Sequence, residues 1–85
     1  MIMKIVYFAW VRERIGFSSE SIDISGNIKT LDNLIDYLAA KSPGHKEALS
    51  NKNILKFSVN FEYANINHNI NNNDEVAIFP PVTGG

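Results

Sequence analysis

The sequence contains no cysteine, so its 85 residues hold no disulfide bond, no thiolate metal ligand and no cysteine nucleophile. Positive charge is not in excess either, because 8 lysine and arginine residues stand against 9 aspartate and glutamate residues, for a formal net charge of −1. A chain with that balance lacks the cationic field that attracts nucleic-acid phosphates or anionic lipids. We therefore expect no nucleic-acid partner and no membrane partner.

Recognisable catalytic motifs are also missing. The sequence has no glycine-rich phosphate loop and no His-Glu-x-x-His metal motif. Its two histidines, His45 and His68, are isolated in predicted loops, so we expect both to be solvated surface residues. Asp74 and Glu75 are adjacent at the start of a predicted strand, where neighbours point to opposite faces and therefore do not share a proton. We expect this chain to bind no metal or cofactor of its own.

Long hydrophobic runs are absent as well. The apolar run over residues 1–11 is well short of the ~18 residues of a membrane helix and is followed by no small-residue cleavage site. Its β-branched and aromatic residues predict a buried strand over residues 5–11, followed by a turn at Gly16. Residues 19–25 alternate apolar and polar side chains, which predicts the second strand of a hairpin. A chain with neither membrane segment nor disulfides is expected in the cytoplasm.

The middle of the chain predicts one main helix. Thr30 is suited to an N-cap, and Asp32 falls in the first turn. Four apolar residues then recur at helical i, i+3, i+4, i+7 spacing, namely Leu31, Leu34, Ile35 and Leu38. The helix should end near residues 41–44, which include Pro43, and its apolar stripe should lie on a sheet.

The second half of the chain predicts further strands. A helical turn is expected within residues 45–53, a third strand over residues 54–63 and a short fourth strand over residues 64–66. The asparagine-rich residues 65–73 favour turns and loops, because asparagine tolerates left-handed backbone conformations. The last strand should run over Glu75–Phe79, where two prolines end it.

This order of elements predicts an α+β domain in which one main helix packs on a mixed sheet of four to five strands. We place the domain at residues 1–79 and assign residues 80–85 to an extended functional tail. No repeat, linker or second domain is expected in a chain of this length.

The tail has the composition of a segment that enters another protein's active site. Pro80 and Pro81 hold the chain extended, and Val82 and Thr83 have short side chains. The last two residues, Gly84 and Gly85, lack Cβ atoms, so a surrounding enzyme can approach the terminal carboxylate from any side. Six extended residues reach roughly 20 Å. The alternative is a frayed terminus without a role.

The sequence resembles a known family, that of MoaD, the small sulfur-carrying subunit of molybdopterin synthase. Residues 74–85, which end in Pro-Pro-Val-Thr-Gly-Gly, look like the family's closing signature. Residues 7–9 and 11–13 look like its first strand and turn, and Val59-Asn60 looks like part of its third strand. Two departures are Asn71-Asn72-Asn73, where the family has a turn containing Asp-Gly, and Trp10, where it has a smaller polar residue.

The resemblance implies a ubiquitin-like β-grasp fold and a reaction cycle centred on Gly85, with Gly84 beside it. An adenylating enzyme similar to ubiquitin-activating enzymes is expected to use ATP and magnesium on the terminal carboxylate. A sulfur donor protein then converts it to a thiocarboxylate. The large synthase subunit, expected in a heterotetramer with this chain, receives the tail and transfers sulfur to cyclic pyranopterin monophosphate.

Strand alternation predicts where a partner docks. If Ile5, Tyr7 and Ala9 face the helix, then Val6, Phe8 and Trp10 face away from it. In the last strand, Val76 and Ile78 should point inward, and Ala77 and Phe79 outward. The family's partner surface carries over to Phe8, Tyr63 and Phe79, and Arg12 is a further candidate for contact with an acidic partner. The alternative is that these aromatic residues only pack on one another.

Two other functions remain open at this point. A Gly-Gly end also occurs in carriers for thiazole synthesis or tRNA thiolation and in ubiquitin-related protein modifiers, though not usually with Pro-Pro-Val-Thr before it. A plain interaction module with an unimportant tail is the third possibility. The three differ in whether the terminus carries sulfur, joins lysines or does neither.

Overall fold

The strands form a single five-stranded sheet in a computed structural model that describes residues 2–24 and 26–81. The described elements, in chain order, are β1 (Met3–Tyr7), α1 (Ala9–Ile15), β2 (Ser19–Ile22), α2 (Leu31–Ala39), α3 (Pro43–Leu49), β3 (Lys56–Val59), β4 (Glu62–Ala64) and β5 (Glu75–Phe79). None of these helices is long and apolar enough to cross a membrane.

The sheet is mixed, with the strand order β2-β1-β5-β3-β4. The first and last strands, β1 and β5, are parallel neighbours at its centre, and every other neighbouring pair is antiparallel. Central parallel strands, which are buried on both faces, typically consist of consecutive apolar residues, and Val76, Ala77 and Ile78 in β5 follow this pattern. The predicted α+β class and mixed sheet are therefore confirmed.

One face of the sheet carries the core. Met3, Ile5 and Tyr7 alternate along β1 with less buried residues and are at most 1% exposed. The predicted apolar stripe of α2 is buried against the same core cluster. Each fully buried leucine or isoleucine contributes about 1.5–3 kcal/mol relative to an exposed one. Since all three helices of residues 2–24 and 26–81 contribute to this core, none of these described helices lies over the opposite face of the sheet.

The first predicted strand is too long, because β1 ends at Tyr7 and α1 begins at Ala9. Ala9 has a left-handed backbone with φ of 51°, which turns the chain out of the sheet. Val11 and Ile15, four residues apart, are buried on one side of α1. Burial of this helical face overrides the strand propensity of the sequence, so the strand parity assigned to Ala9 and Trp10 was wrong. Gly16 ends α1 with φ of 105°.

The main helix has the predicted N-terminus. The Thr30 hydroxyl accepts a hydrogen bond from the Asn33 backbone N–H at 3.2 Å. The Asn33 side-chain oxygen accepts one from the Thr30 backbone N–H at 3.3 Å, which completes a capping box. The helix ends at Ala39, just before the predicted stop, and Pro43 begins α3 behind the N-cap Ser42.

The predicted third strand over residues 54–63 is wrong, because it is a hairpin of β3 and β4. Val59 pairs with Glu62, so Asn60 and Phe61 form a two-residue turn in which both φ angles are positive, 51° and 71°. The short fourth strand accordingly lies earlier than residues 64–66. β2 also ends sooner than predicted, at Ile22, whereas β5 has the predicted bounds.

The capping box generates a prediction about stability. Thr30→Ala removes the acceptor for the Asn33 backbone N–H, so we expect the free energy of unfolding to fall by about 1 kcal/mol. Urea unfolding followed by circular dichroism measures the change. Thr30→Ser keeps the hydroxyl and should retain most of the stability; equal losses in both variants would show that the cap is not responsible.

Candidate functional site

Three residues predicted to meet a partner lie together on the face of the sheet that has no helix. The rings of Phe8 and Phe79 stack with centroids 4.7 Å apart and an interplanar angle of 8°. Tyr63 tilts against Phe79 at 6.3 Å. Despite these contacts Phe8 is 40% exposed and Tyr63 is 84% exposed. Packing among themselves therefore leaves much of their apolar surface in water.

The sheet register explains this arrangement. Phe8 directly follows β1, and its backbone N–H donates to the Ile78 carbonyl at 3.1 Å, which holds it beside the end of β5. On the other side of β5, Lys56 pairs with Phe79 and Ser58 pairs with Ala77. Tyr63 pairs in turn with Ser58. Phe8 and Phe79 thus lie at the ends of the neighbouring strands β1 and β5, whereas Tyr63 lies in the middle of β4, with β3 between β4 and β5.

A fourth aromatic residue on this face was missed by sequence reasoning. Phe61, in the β3–β4 turn, is 83% exposed. The signal was present in Asn60, which favours the first position of a two-residue hairpin turn, but the apolar alternation through Phe57, Val59 and Phe61 concealed it. We call Phe8, Phe61, Tyr63 and Phe79 together the aromatic face.

Two hollows adjoin the aromatic face. The larger, about 920 Å³, is open at the surface and is lined by Phe8, Tyr63 and Phe79, by residues 52, 53 and 55–57, and by the two prolines of the tail. The smaller, about 260 Å³, is lined by all four aromatic residues over the small side chains of Val6, Ser58 and Ala77. Ala77 points away from the helices as predicted, although it is only 8% exposed at the floor of this hollow.

The predicted tail residues are described in part. Pro80 and Pro81 are half-buried and line the larger hollow, so the tail begins beside the aromatic face. Val82, Thr83, Gly84 and Gly85 lie outside the described residues, and the roles assigned to them remain predictions. Arg12 is exposed on α1 and lines neither hollow, so the structure does not bring it into the aromatic face.

His45 is not the solvated loop residue that the sequence suggested. It lies in α3 and is 4% exposed. Its Nε2 is 2.7 Å from Glu20 Oε2, and its Nδ1 is 2.7 Å from Ser42 Oγ. The sequence did not show these contacts, because Glu20 is distant in sequence and Ser42 belongs to the start of a helix that has Pro43 at its first position. His68, by contrast, is exposed as predicted.

Glu20 is the centre of this buried polar group. Its Oε2 also accepts a hydrogen bond from the Tyr7 hydroxyl at 2.6 Å, and its Oε1 lies 3.5 Å from Lys41 Nζ. With a neutral imidazole, Nε2–H donates to Glu20 and Nδ1 accepts from the Ser42 hydroxyl, so every hydrogen-bonding group of the ring is satisfied. The network ties β1, β2 and α3 together at the edge of the core.

The network changes the acidity of its members. Burial, followed by the hydrogen bond to Glu20, raises the pKa of the Tyr7 hydroxyl above its ordinary value. Burial would also raise the pKa of the Glu20 carboxyl, but the hydrogen bonds from His45 and Tyr7 and the charge of Lys41 outweigh it and lower that pKa. The group stabilises the fold and faces the core, away from the aromatic face.

The fold and the site together define the class of protein. The fold is the ubiquitin-like β-grasp, and it matches small archaeal modifier protein 1 of H. volcanii with a TM-score of 0.74 and 26% identity, over 95% of this chain and 98% of that one. A complex of subunits 1 and 2 of molybdopterin-converting factor from Helicobacter pylori contains the same fold, with a TM-score of 0.66, 24% identity and full coverage of both chains. The model of the ThiS family matches residues 5–85, so the chain belongs to the ThiS family.

Relatives with assigned functions indicate which members of this family the chain is most similar to in function. The chain is 35% identical to the molybdopterin synthase sulfur carrier subunit of Escherichia coli, over 98% of this chain and 99% of the relative. It is 40% identical to the protein of that name from Dictyostelium discoideum, over 96% of this chain and 94% of that relative. The resemblance to the MoaD family drawn from the sequence is confirmed.

The position of Glu20 generates a prediction about pH. A carboxyl whose pKa is lowered by folding stabilises the folded state fully above its unfolded pKa of about 4.3, and this stabilisation is lost as the pH falls through the lower folded pKa. We expect the free energy of unfolding to decline below about pH 4.3, and more steeply in the parent chain than in Glu20→Gln. Denaturant unfolding at a series of pH values from about 7 to about 3, which spans this pKa, measures the free energy of unfolding of both proteins. Parallel pH profiles for the two proteins would rule out this role.

Proposed function

We propose that this chain is the sulfur carrier of a molybdopterin synthase and presents the Gly85 carboxyl group to its partners. The observation that carries the proposal is the near full-length similarity to curated sulfur carrier subunits of that enzyme. The geometry supports it, because the prolines that begin the tail lie next to an exposed aromatic face. A docking surface and a deliverable terminus are the two parts that a carrier needs.

The chemistry proposed for Gly85 follows from the reactivity of a carboxylate. A carboxylate is a poor electrophile, and adenylation with ATP and magnesium, supplied by an activating enzyme, gives it AMP as a leaving group and releases pyrophosphate. A sulfur donor protein then delivers sulfur at the oxidation level of sulfide, which attacks the acyl carbon, expels AMP and leaves a thiocarboxylate. This group is anionic and nucleophilic near neutral pH, so its sulfur can attack cyclic pyranopterin monophosphate. Water then cleaves the acyl–sulfur bond, which leaves the sulfur on the pterin and returns Gly85 as a carboxylate. Two such transfers supply the two sulfur atoms of the dithiolene.

The described residues around the tail's origin fit a carrier without catalytic groups. The larger hollow is lined mainly by apolar and amide side chains, and its ionisable residues are Lys52, Lys56 and Tyr63. Lys52 is held by Asp32 and Asp36. A general base and an oxyanion site would therefore come from the partners, while Pro80 and Pro81 hold the tail extended at low entropic cost.

The aromatic face is proposed to dock the large synthase subunit. Exposed aromatic residues that cluster on one face typically mark protein interaction sites, and aromatic side chains are frequent among residues that dominate binding energy. Docking here places the start of the tail at the edge of the interface. Arg12, exposed on α1, is a separate candidate for contact with an acidic surface of a partner.

A second candidate function is that of a protein modifier. It is favoured by the similarity to small archaeal modifier protein 1, at 26% identity over nearly the whole chain. The two functions leave different products on Gly85. Intact mass spectrometry of protein isolated from cells separates them, because a carrier gains one sulfur-for-oxygen exchange whereas a modifier forms isopeptide bonds with lysines.

The proposed reaction predicts that the free Gly85 terminus is indispensable. Deleting Gly85, or adding one residue after it, should abolish thiocarboxylate formation with the activating enzyme, ATP and a sulfur donor, because the reactive carboxyl group is then misplaced. Mass spectrometry detects the thiocarboxylate. Adding the same residue at the N-terminus is the control and should leave loading intact. Sulfur loading on either altered C-terminus would overturn the proposed chemistry.

The proposed docking surface predicts a loss of affinity in Tyr63→Ala. Because this side chain is 84% exposed, removing it should change the free energy of unfolding little while weakening binding of the large subunit roughly tenfold. Isothermal titration calorimetry measures the affinity. The matched control is Tyr37→Ala, which removes a 42% exposed tyrosine from α2 on the helical side. Equal affinities for the two variants would contradict the proposed surface.

A further inference from the structure

Phe61 has a backbone conformation that phenylalanine rarely adopts. The β3–β4 turn consists of Asn60 and Phe61, with φ of 51° and 71°, and it connects the paired residues Val59 and Glu62. Turns of this kind need positive φ at both central positions, and glycine is the usual residue at the second. A bulky side chain there is an outlier, because its Cβ crowds the following carbonyl oxygen. Glycine would serve the turn better than phenylalanine does.

Packing within the chain does not compensate for this strain. The Phe61 side chain is 83% exposed, and within residues 2–24 and 26–81 its ring stacks on no other aromatic ring. The fold therefore gains little from the ring and loses from the conformation that presents it. A strained residue in such a position is a sign of a role outside the folding of its own chain.

The surroundings of Phe61 indicate what it meets. Phe61 lines the smaller hollow, about 260 Å³, together with Phe8 and Phe79. This volume is below that of usual small-molecule sites, and the floor is made of small side chains, so the hollow suits a single protruding apolar side chain of another protein. The hollow is continuous with the aromatic face, because Tyr63 lines both hollows.

A carboxylate at the rim adds a charge requirement. Glu75 lines the smaller hollow, and its carboxylate forms no ion pair within the part of the chain that the structure describes. Lys4 is its neighbour on β1, but the two side chains are not within ion-pair distance. A partner with a lysine or arginine beside its apolar residue would match this rim. A second copy of this chain, paired symmetrically over the hollow, would instead bring two Glu75 carboxylates towards each other.

We propose that Phe61 and Glu75 form a second contact for the large synthase subunit, which inserts an apolar side chain into the smaller hollow and places a basic residue opposite Glu75. The inference rests on the proposed function, since it names the same partner. It goes beyond that function by assigning the turn residue Phe61 to affinity and Glu75 to the rate of association. Phe61 is thereby a binding residue that the fold accommodates at a cost in stability.

The decisive variant is Phe61→Gly, which relieves the strain and removes the ring together. We expect its thermal unfolding midpoint to equal or exceed that of the parent chain, because glycine is preferred at this turn position. Its affinity for the purified large subunit should nevertheless fall roughly tenfold. Tyr37→Ala is the control and should bind as the parent does. Differential scanning calorimetry and isothermal titration calorimetry give the two quantities.

A second variant tests the charge. Glu75→Gln keeps the shape of the side chain, and we expect association with the large subunit to slow at low salt and to match the parent at high salt, as measured by stopped-flow mixing. An association rate unaffected by Glu75→Gln at low salt would overturn the assignment of Glu75. Parent-like affinity of Phe61→Gly, or a loss of stability in that variant, would overturn the assignment of Phe61.

Failure of the proposed function would look different. In that case the unsubstituted chain itself would not bind the large subunit, which would overturn both proposals at once. Binding of the parent chain together with unchanged binding of Phe61→Gly would overturn the further inference alone.

Discussion

The parallel pairing of the first and last strands is the constraint on which the rest of this structure depends. Lys4 to Tyr7 pair in register with Glu75 to Ile78 at the centre of the sheet. This pairing brings Phe8, which leaves β1, next to Phe79, which ends β5, so two aromatic rings that are 71 positions apart in the numbering stack at 4.7 Å. The tail begins one residue later, at Pro80. The pairing therefore couples the position of the tail to that of the aromatic face.

A one-sided arrangement of the helices has an equally direct consequence. All the helices contribute to a single core, in which Leu34, Ile35 and Leu38 of α2 cover the inward residues of β1 and β5. Among the described residues, no helix shields the other face, and the small residues Val6, Ser58 and Ala77 line the smaller hollow together with the aromatic rings. An aromatic residue on that face remains exposed however well its strand pairs. Interaction surface and core are thus products of the same alternation along each strand.

How far the sequence predicts the structure depends on the range of the contacts involved. The capping residue Thr30, the apolar stripe of α2 and the proline-limited β5 are local signals, and the structure confirms them. The strand predicted through Val11 failed because β-branched residues at i and i+4 are also compatible with a helix, and only burial in the core decides between the two. His45 was misjudged because Glu20 is 25 positions away, and a single sequence does not show that a helix starting at Pro43 turns the ring towards it.

The aromatic face shows the same division between local and distant information. The outward directions of Phe8 and Phe79 followed from alternation along their strands, whereas Tyr63 was named only through resemblance to a family, because its approach to Phe79 needs the strand order. Neither strand parity nor the family resemblance identified Phe61. Its role becomes visible only when a positive φ and an exposed ring are considered together, since each alone has an ordinary explanation: tight turns need positive φ, and isolated exposed aromatics are common on protein surfaces. Both features coincide in Phe61, beside a hollow and beside the Glu75 carboxylate, which forms no ion pair with any described residue. This combination gives the folded chain little stability, but it suits the binding of a partner.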